Sequence, residues 1–87
     1  MPGVSRDNDT AGGDLIPSQG TVKVNDKLVI VDGDGVAGHG PPPHIPQTIS
    51  ATINSTVKIN GKAIVVAGDL ADVCGEPATG SSNVKIG

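Results

Sequence analysis

No segment of the 87-residue chain shows a helical period; the apolar residues gather instead into short blocks with the alternation of extended structure. From Thr21 onward, Val22 and Val24 alternate with Thr21 and Lys23, and the aliphatic run Leu28-Val29-Ile30-Val31 follows. Asn25-Asp26 separates these two pieces, and Asn60-Gly61 separates an equivalent pair further on. Both dipeptides suit the positive φ angles of a type I′ turn, so each stretch is expected to form a β-hairpin. The second strands end in Asp32-Gly33-Asp34 and Ala67-Gly68-Asp69, where glycine permits a sharp change of direction.

The two stretches are copies of one unit. TVKVNDKLVIVDGD, Thr21 to Asp34, and TVKINGKAIVVAGD, Thr56 to Asp69, share eight of fourteen residues, and three further positions exchange one aliphatic β-branched residue for another. Asn83-Val84-Lys85-Ile86-Gly87 opens a third copy, and Arg6-Asp7-Asn8-Asp9 looks like the degenerate end of a preceding one. Because an isolated hairpin is marginal in water, the copies must pack on each other, and a pseudo-threefold arrangement of short hairpins is expected. The organisation read from the chain is one domain over 1–87: an arm at 1–20, hairpin repeats at 21–34 and 56–69, loops at 35–55 and 70–82, and a final strand at 83–87.

Outside the repeats the signals are local. The arm has only Leu15-Ile16 ahead of Pro17, which predicts an irregular segment with a short extended piece at Asp14 to Ile16. Three consecutive prolines in GVAGHGPPPHIP, Gly35 to Pro46, predict an extended, exposed loop. Gln47 to Ser55 alternates like a short strand, and Leu70 to Val73 has room for one helical turn.

Composition narrows the function classes. There is no Trp, Tyr or Phe, so the core consists of Val, Ile, Leu and Ala and is thin. A single Cys excludes an internal disulfide, leaving a metal or a partner as the natural added support. A net charge of −3 gives no electrostatic basis for binding nucleic acid. The N-terminal residues lack an apolar signal region, and the expectation is synthesis in the cytoplasm without a signal peptide.

The candidate chemistry lies in the loops. Counting five residues on from Asp9, Asp34 and Asp69 reaches Asp14, His39 and Cys74, and His44 follows His39 by five more. If the repeats are related by rotation, these positions converge on one axis. Two imidazoles and a thiolate are a common Zn²⁺ ligand set, with Asp14, another side chain or water as the fourth donor. The plainer alternative is two solvent-exposed loop histidines and a cysteine serving as a small apolar residue. Cys74 with a histidine as a nucleophile-base pair lacks an orienting third group and room for a substrate, so no enzyme is expected. Asp32-Gly33-Asp34 lacks the remainder of a Ca²⁺ loop and reads as a turn. Lys23, Lys58 and Lys85 occupy equivalent positions, as a solvated face or one turned toward a threefold partner.

In order and spacing, the GTVKVNDKLVIVDGD, GHGPPPH, STVKINGKAIVVAGD, Cys74-Gly75 and SSNVKIG elements resemble the PAAR-repeat family, over nearly the whole chain. That resemblance implies a cone of short β-strands that sharpens the trimeric β-helical spike of a type VI secretion system (VgrG-like) or a contractile phage tail. One copy would sit on each trimer, pass out of the cell with it and help pierce the target membrane, with effectors as possible passengers. It also implies one apical ion, Zn²⁺ or alternatively Fe²⁺, held by three histidines and one cysteine. His39, His44 and Cys74 match three of those ligands. The remaining histidine belongs to a His-Gly-Gly element, where this chain has Ala11-Gly12-Gly13, and Asp14 is the candidate replacement. Some members carry toxin domains; this chain reads as a tip without cargo. The rival reading is a free-standing small metal-binding module.

Overall fold

In the computed structural model, which describes residues 2–86, three chain segments meet around one axis. Ser5 N–H donates to the Val65 carbonyl (3.0 Å), Ile30 N–H to the Ser5 carbonyl (3.0 Å) and Val65 N–H to the Ile30 carbonyl (2.9 Å), which closes a ring of three backbone hydrogen bonds. The bridges Arg6↔Val29, Val31↔Ile64 and Val4↔Val66 repeat the same cycle around it. The chain is all-β, with no helix among the described residues, and its repeats are related by a pseudo-threefold rotation.

The ring explains why the aliphatic runs are continuous rather than alternating. Successive side chains of a strand point to opposite faces, and here both faces are buried. Ile30 and Val65 join Leu15, Val36, Ile49, Ala11, Ala71 and Ala78 in one cluster. Val29, Val31, Ile64 and Val66 turn the other way, into a cluster with Val4 and Ile59. The third equivalent of Ile30 and Val65 is Ser5, whose buried hydroxyl donates to the Thr79 carbonyl at 2.6 Å.

On one side of the ring lie the hairpins. The four-stranded sheet lies on the other side and is antiparallel, in the order β1 (Thr10–Ala11), β2 (Gly13–Ile16), β5 (Gly35–Val36), β6 (Gln47–Thr48). The hairpins are β3 (Lys23–Val24) with β4 (Lys27–Leu28), and β7 (Lys58–Ile59) with β8 (Lys62–Ala63). Their turns have positive φ at Asn25 and Asp26 and at Asn60 and Gly61, as a type I′ turn requires. The third hairpin is built from both ends of the chain. Val4 N–H donates to the Val84 carbonyl, as Val29 does to Val22 and Ile64 to Val57, and Ile86 N–H donates to the Pro2 carbonyl.

Each repeat leaves the ring through the same tight turn. Asp9, Asp34 and Asp69 N–H groups donate to the carbonyls of Arg6, Val31 and Val66, and the carboxylates reach back to accept from the N–H groups of those same residues. The residue before each aspartate, Asn8, Gly33 or Gly68, has positive φ. Asp32-Gly33-Asp34 is therefore a turn, held by its own last side chain.

Several local expectations change. The arm is not irregular: Gly3 bridges to Lys85, Arg6 to Val29, and β1–β2 is a hairpin. The strand expected at Gln47 to Ser55 is ordered as such only over Gln47–Thr48 with a bridge at Ile49. Leu70 to Val73 forms no helix; Leu70 and Ala71 bridge to Pro77 and Ile49, and a single turn closes where Gly75 N–H donates to the Ala71 carbonyl. The triple-proline loop is not extended, since His44 N–H donates to the Pro41 carbonyl and His39 N–H to the His44 carbonyl. Proline lacks a donor but its carbonyl still accepts, which lets the loop fold back. Met1 and Gly87, the outer ends of the expected arm and final strand, lie outside the described residues.

Candidate metal centre

Beyond the cluster that contains Leu15 and Ile49, the three excursions that follow the repeat turns, 10–20, 35–55 and 70–82 in chain order, converge. The second is long enough to carry His39 and His44 out past β5 and back through β6. The third carries Cys74 and Glu76 around the Ala71–Gly75 turn. One ligand atom from each of these four residues lies within 4.8 Å of all the others.

The contacts within the group are short. His39 Nε2 lies 3.0 Å from His44 Nδ1, 3.9 Å from Cys74 Sγ and 3.4 Å from Glu76 Oε1, and His44 Nδ1 lies 3.0 Å from Glu76 Oε1. Donors around a tetrahedral Zn²⁺ with ordinary bond lengths sit roughly 3.3–3.6 Å apart. The residues present therefore fit such an ion without large rearrangement. His39 Nδ1 faces the Ala37 carbonyl at 3.0 Å, and a carbonyl only accepts, so the ring proton sits on Nδ1. That leaves the Nε2 lone pair turned toward the other three donors, the tautomer a metal ligand needs. Two ring nitrogens, a thiol and a carboxylate at these distances form a group able to hold a metal ion.

Gln47 joins the two loops. Its side-chain carbonyl accepts from Val73 N–H (2.8 Å) and Cys74 N–H (2.9 Å). Its amide donates to the carbonyls of Ile45 (2.9 Å) and Pro43 (3.2 Å), beside His44. One side chain thus sets the distance between the histidine loop and the cysteine loop. Nothing in the repeat alignment singled it out.

The structure brings His39, His44 and Cys74 together and leaves Asp14 apart. Asp14 lies in β2, where burial alternates so that Gly13 and Leu15 face inward and Asp14 and Ile16 outward. A carboxylate directly before an inward leucine cannot share its face. Glu76, two residues past Cys74, stands in the group instead; it has no equivalent in the other repeats, so offset counting missed it. Lys23, Lys58 and Lys85 are exposed on the hairpin side, away from this cluster.

A separate ion pair fixes the first repeat turn: Arg6 Nε lies 2.8 Å from Asp9 Oδ2. Burial pushes the Asp9 carboxyl up, but hydrogen bonds from the Arg6 side chain and backbone, its charge and the Thr79 hydroxyl outweigh that and hold it below the ordinary range. No helix among the described residues is long and apolar enough to cross a membrane.

A family model, the PAAR motif, matches residues 6–77. No curated protein matches the chain.

Proposed function

The chain belongs to the PAAR-motif family, and on that premise we propose that it is the tip of a contractile injection machine, a cone that caps a trimeric β-helical spike. The observation that carries this reading is the closed ring of hydrogen bonds through Ser5, Ile30 and Val65. A single polypeptide with three quasi-equivalent sides can match a threefold platform without itself being a trimer. The hairpin end supplies the matching face. Val22, Val57 and Val84 stand at equivalent positions and are 39%, 41% and 36% exposed, each followed by an exposed lysine, Lys23, Lys58 or Lys85. Three apolar contacts with three cations beside them suit a trimer end that presents apolar pockets ringed by carboxylates.

At the opposite end, His39, His44 and Cys74 hold one ion, with Zn²⁺ the best match to two imidazoles and a thiolate. The ion joins loops that the aromatic-free core cannot hold by itself, so its binding adds to the stability of the fold. The role is mechanical rather than catalytic: the tip leads the spike out of the cell and into the target membrane.

The test is to mix the protein with a trimeric β-helical spike and weigh the complex. One copy per trimer is expected. Three copies per trimer contradict the matching of pseudo-symmetry to true symmetry, and a protein that binds one ion but no spike is the free-standing metal module.

A further inference from the structure

We propose that Glu76 is the fourth ligand of the ion, and that the first arm, instead of contributing a donor, leaves room for it. The inference rests on the metal reading above and specifies that site further. The family pattern places a histidine where this chain has Ala11, a buried methyl group packed in the inner cluster that Cys74 also touches. No donor comes from that position. Gly12 follows it at the tip of the β1–β2 turn with φ +85, and a Cβ there would lie 2.1 Å from Glu76 Oε2 and 2.6 Å from His39 Nε2. The volume that a side chain at Gly12 would fill is thus occupied by the Glu76 carboxylate.

The other nearby acids are committed elsewhere. Asp72 accepts from the Thr48 hydroxyl and from Ser50 Oγ, the latter at 2.7 Å, and Asp14 faces outward from β2. Glu76 alone among the described carboxylates joins the two imidazoles and the thiol. Replacing a neutral imidazole by a carboxylate also changes the charge of the site. One thiolate and one carboxylate balance a divalent cation, where three imidazoles and a thiolate would leave one positive charge uncompensated. All four donors then come from the second and third excursions, so the ion ties two loops together rather than three.

The experiment compares Zn²⁺ affinity, by competition with a chromophoric chelator, for the wild-type protein, Glu76→Gln and Asp14→Asn. Each is also loaded with Co²⁺ to read the visible ligand-field bands. Glu76→Gln keeps the size and hydrogen-bonding reach of the side chain but removes the anionic donor. It is expected to lower affinity by more than about 100-fold, beyond the ~10–100-fold typical for losing a residue that only orients a ligand, and to shift the Co²⁺ bands. Asp14→Asn is expected to change neither. If Glu76→Gln fails to fold, Glu76→Asp, which retracts the carboxylate by one methylene, is read in its place and is expected to lose about tenfold. A Glu76→Gln protein with affinity within about threefold of wild type and unchanged Co²⁺ bands overturns the inference while leaving a His39-His44-Cys74 site standing; equal loss in Asp14→Asn overturns it too. A wild-type protein that binds no ion removes the metal reading itself.

Discussion

Replacing Asp69 by Asn tests the turn that each repeat uses to leave the ring. Asp69 is 0% exposed. Its Oδ2 accepts from Val66 N–H at 3.0 Å, and its Oδ1 accepts from Thr52 N–H, Ile53 N–H and Thr52 Oγ at 2.9, 3.1 and 3.1 Å. Asparagine has the same shape but only one oxygen. With that oxygen turned toward Thr52 and Ile53, its NH₂ group faces Val66 N–H, donor against donor. An orphaned buried donor costs about 1–3 kcal/mol, and bonds to a neutral amide are weaker than bonds to a carboxylate by a comparable total. The expected loss is about 2–5 kcal/mol, a large part of the ~5–15 kcal/mol that holds a small domain folded. In thermal terms that is on the order of 10–30 °C. Urea unfolding followed by far-UV circular dichroism, with chelator and with saturating Zn²⁺, measures it. Asp9→Asn is the comparison, since Asp9 is partly solvated and water can replace its lost acceptor. A loss below about 0.5 kcal/mol for Asp69→Asn, the range of ordinary surface changes, or a larger loss for Asp9→Asn, refutes the reasoning.

Chelation of the purified protein should lower its thermal midpoint, and elemental analysis should return one ion per chain; an unchanged midpoint would detach the ion from stability. Cys74 should react slowly with a thiol reagent when loaded and quickly after chelation, and equal rates would place the sulfur outside the coordination sphere. Gln47→Ala removes the side chain that spaces the two loops and should weaken metal binding by about 10–100-fold while the hairpin signals in NMR spectra stay in place. Because the folded Asp9 carboxyl titrates below its unfolded range, its stabilising contribution is fully present above about pH 4 and fades as the pH drops through the folded value. Wild type and Asp9→Asn should therefore converge in stability on acidification, and a constant gap down to pH 2 would show that the Arg6 pairing is not responsible.

The hairpins were legible because their information is local. Asn25-Asp26 and Asn60-Gly61 specify a turn without reference to the rest of the chain, and the duplicated fourteen residues announce the rotation. The arm was not legible, because Gly3 finds its partner in Lys85 at the far end of the chain and no nearby residue signals that pairing. Counting from the repeat aspartates reached His39 and Cys74, which the fold brings together, and also Asp14, which faces away from them. It treated equivalent offsets as equivalent directions, although the excursions differ in length and only the first becomes a tight hairpin. The alternation through Leu15 already contained the correction. Glu76 and Gln47 had no such signal, since each acts through neighbours that only the folded loops bring close.

Pairing Pro2 and Gly3 with Lys85 and Ile86 puts the first and last described segments beside the valine and lysine positions, on the side of the ring away from the histidine and cysteine loops. On the proposed role, that side of the ring faces the shaft and lies at the rear. On that same role the surface made from the histidine and cysteine loops leads, and its profile is set independently of whatever contacts the hairpin side makes.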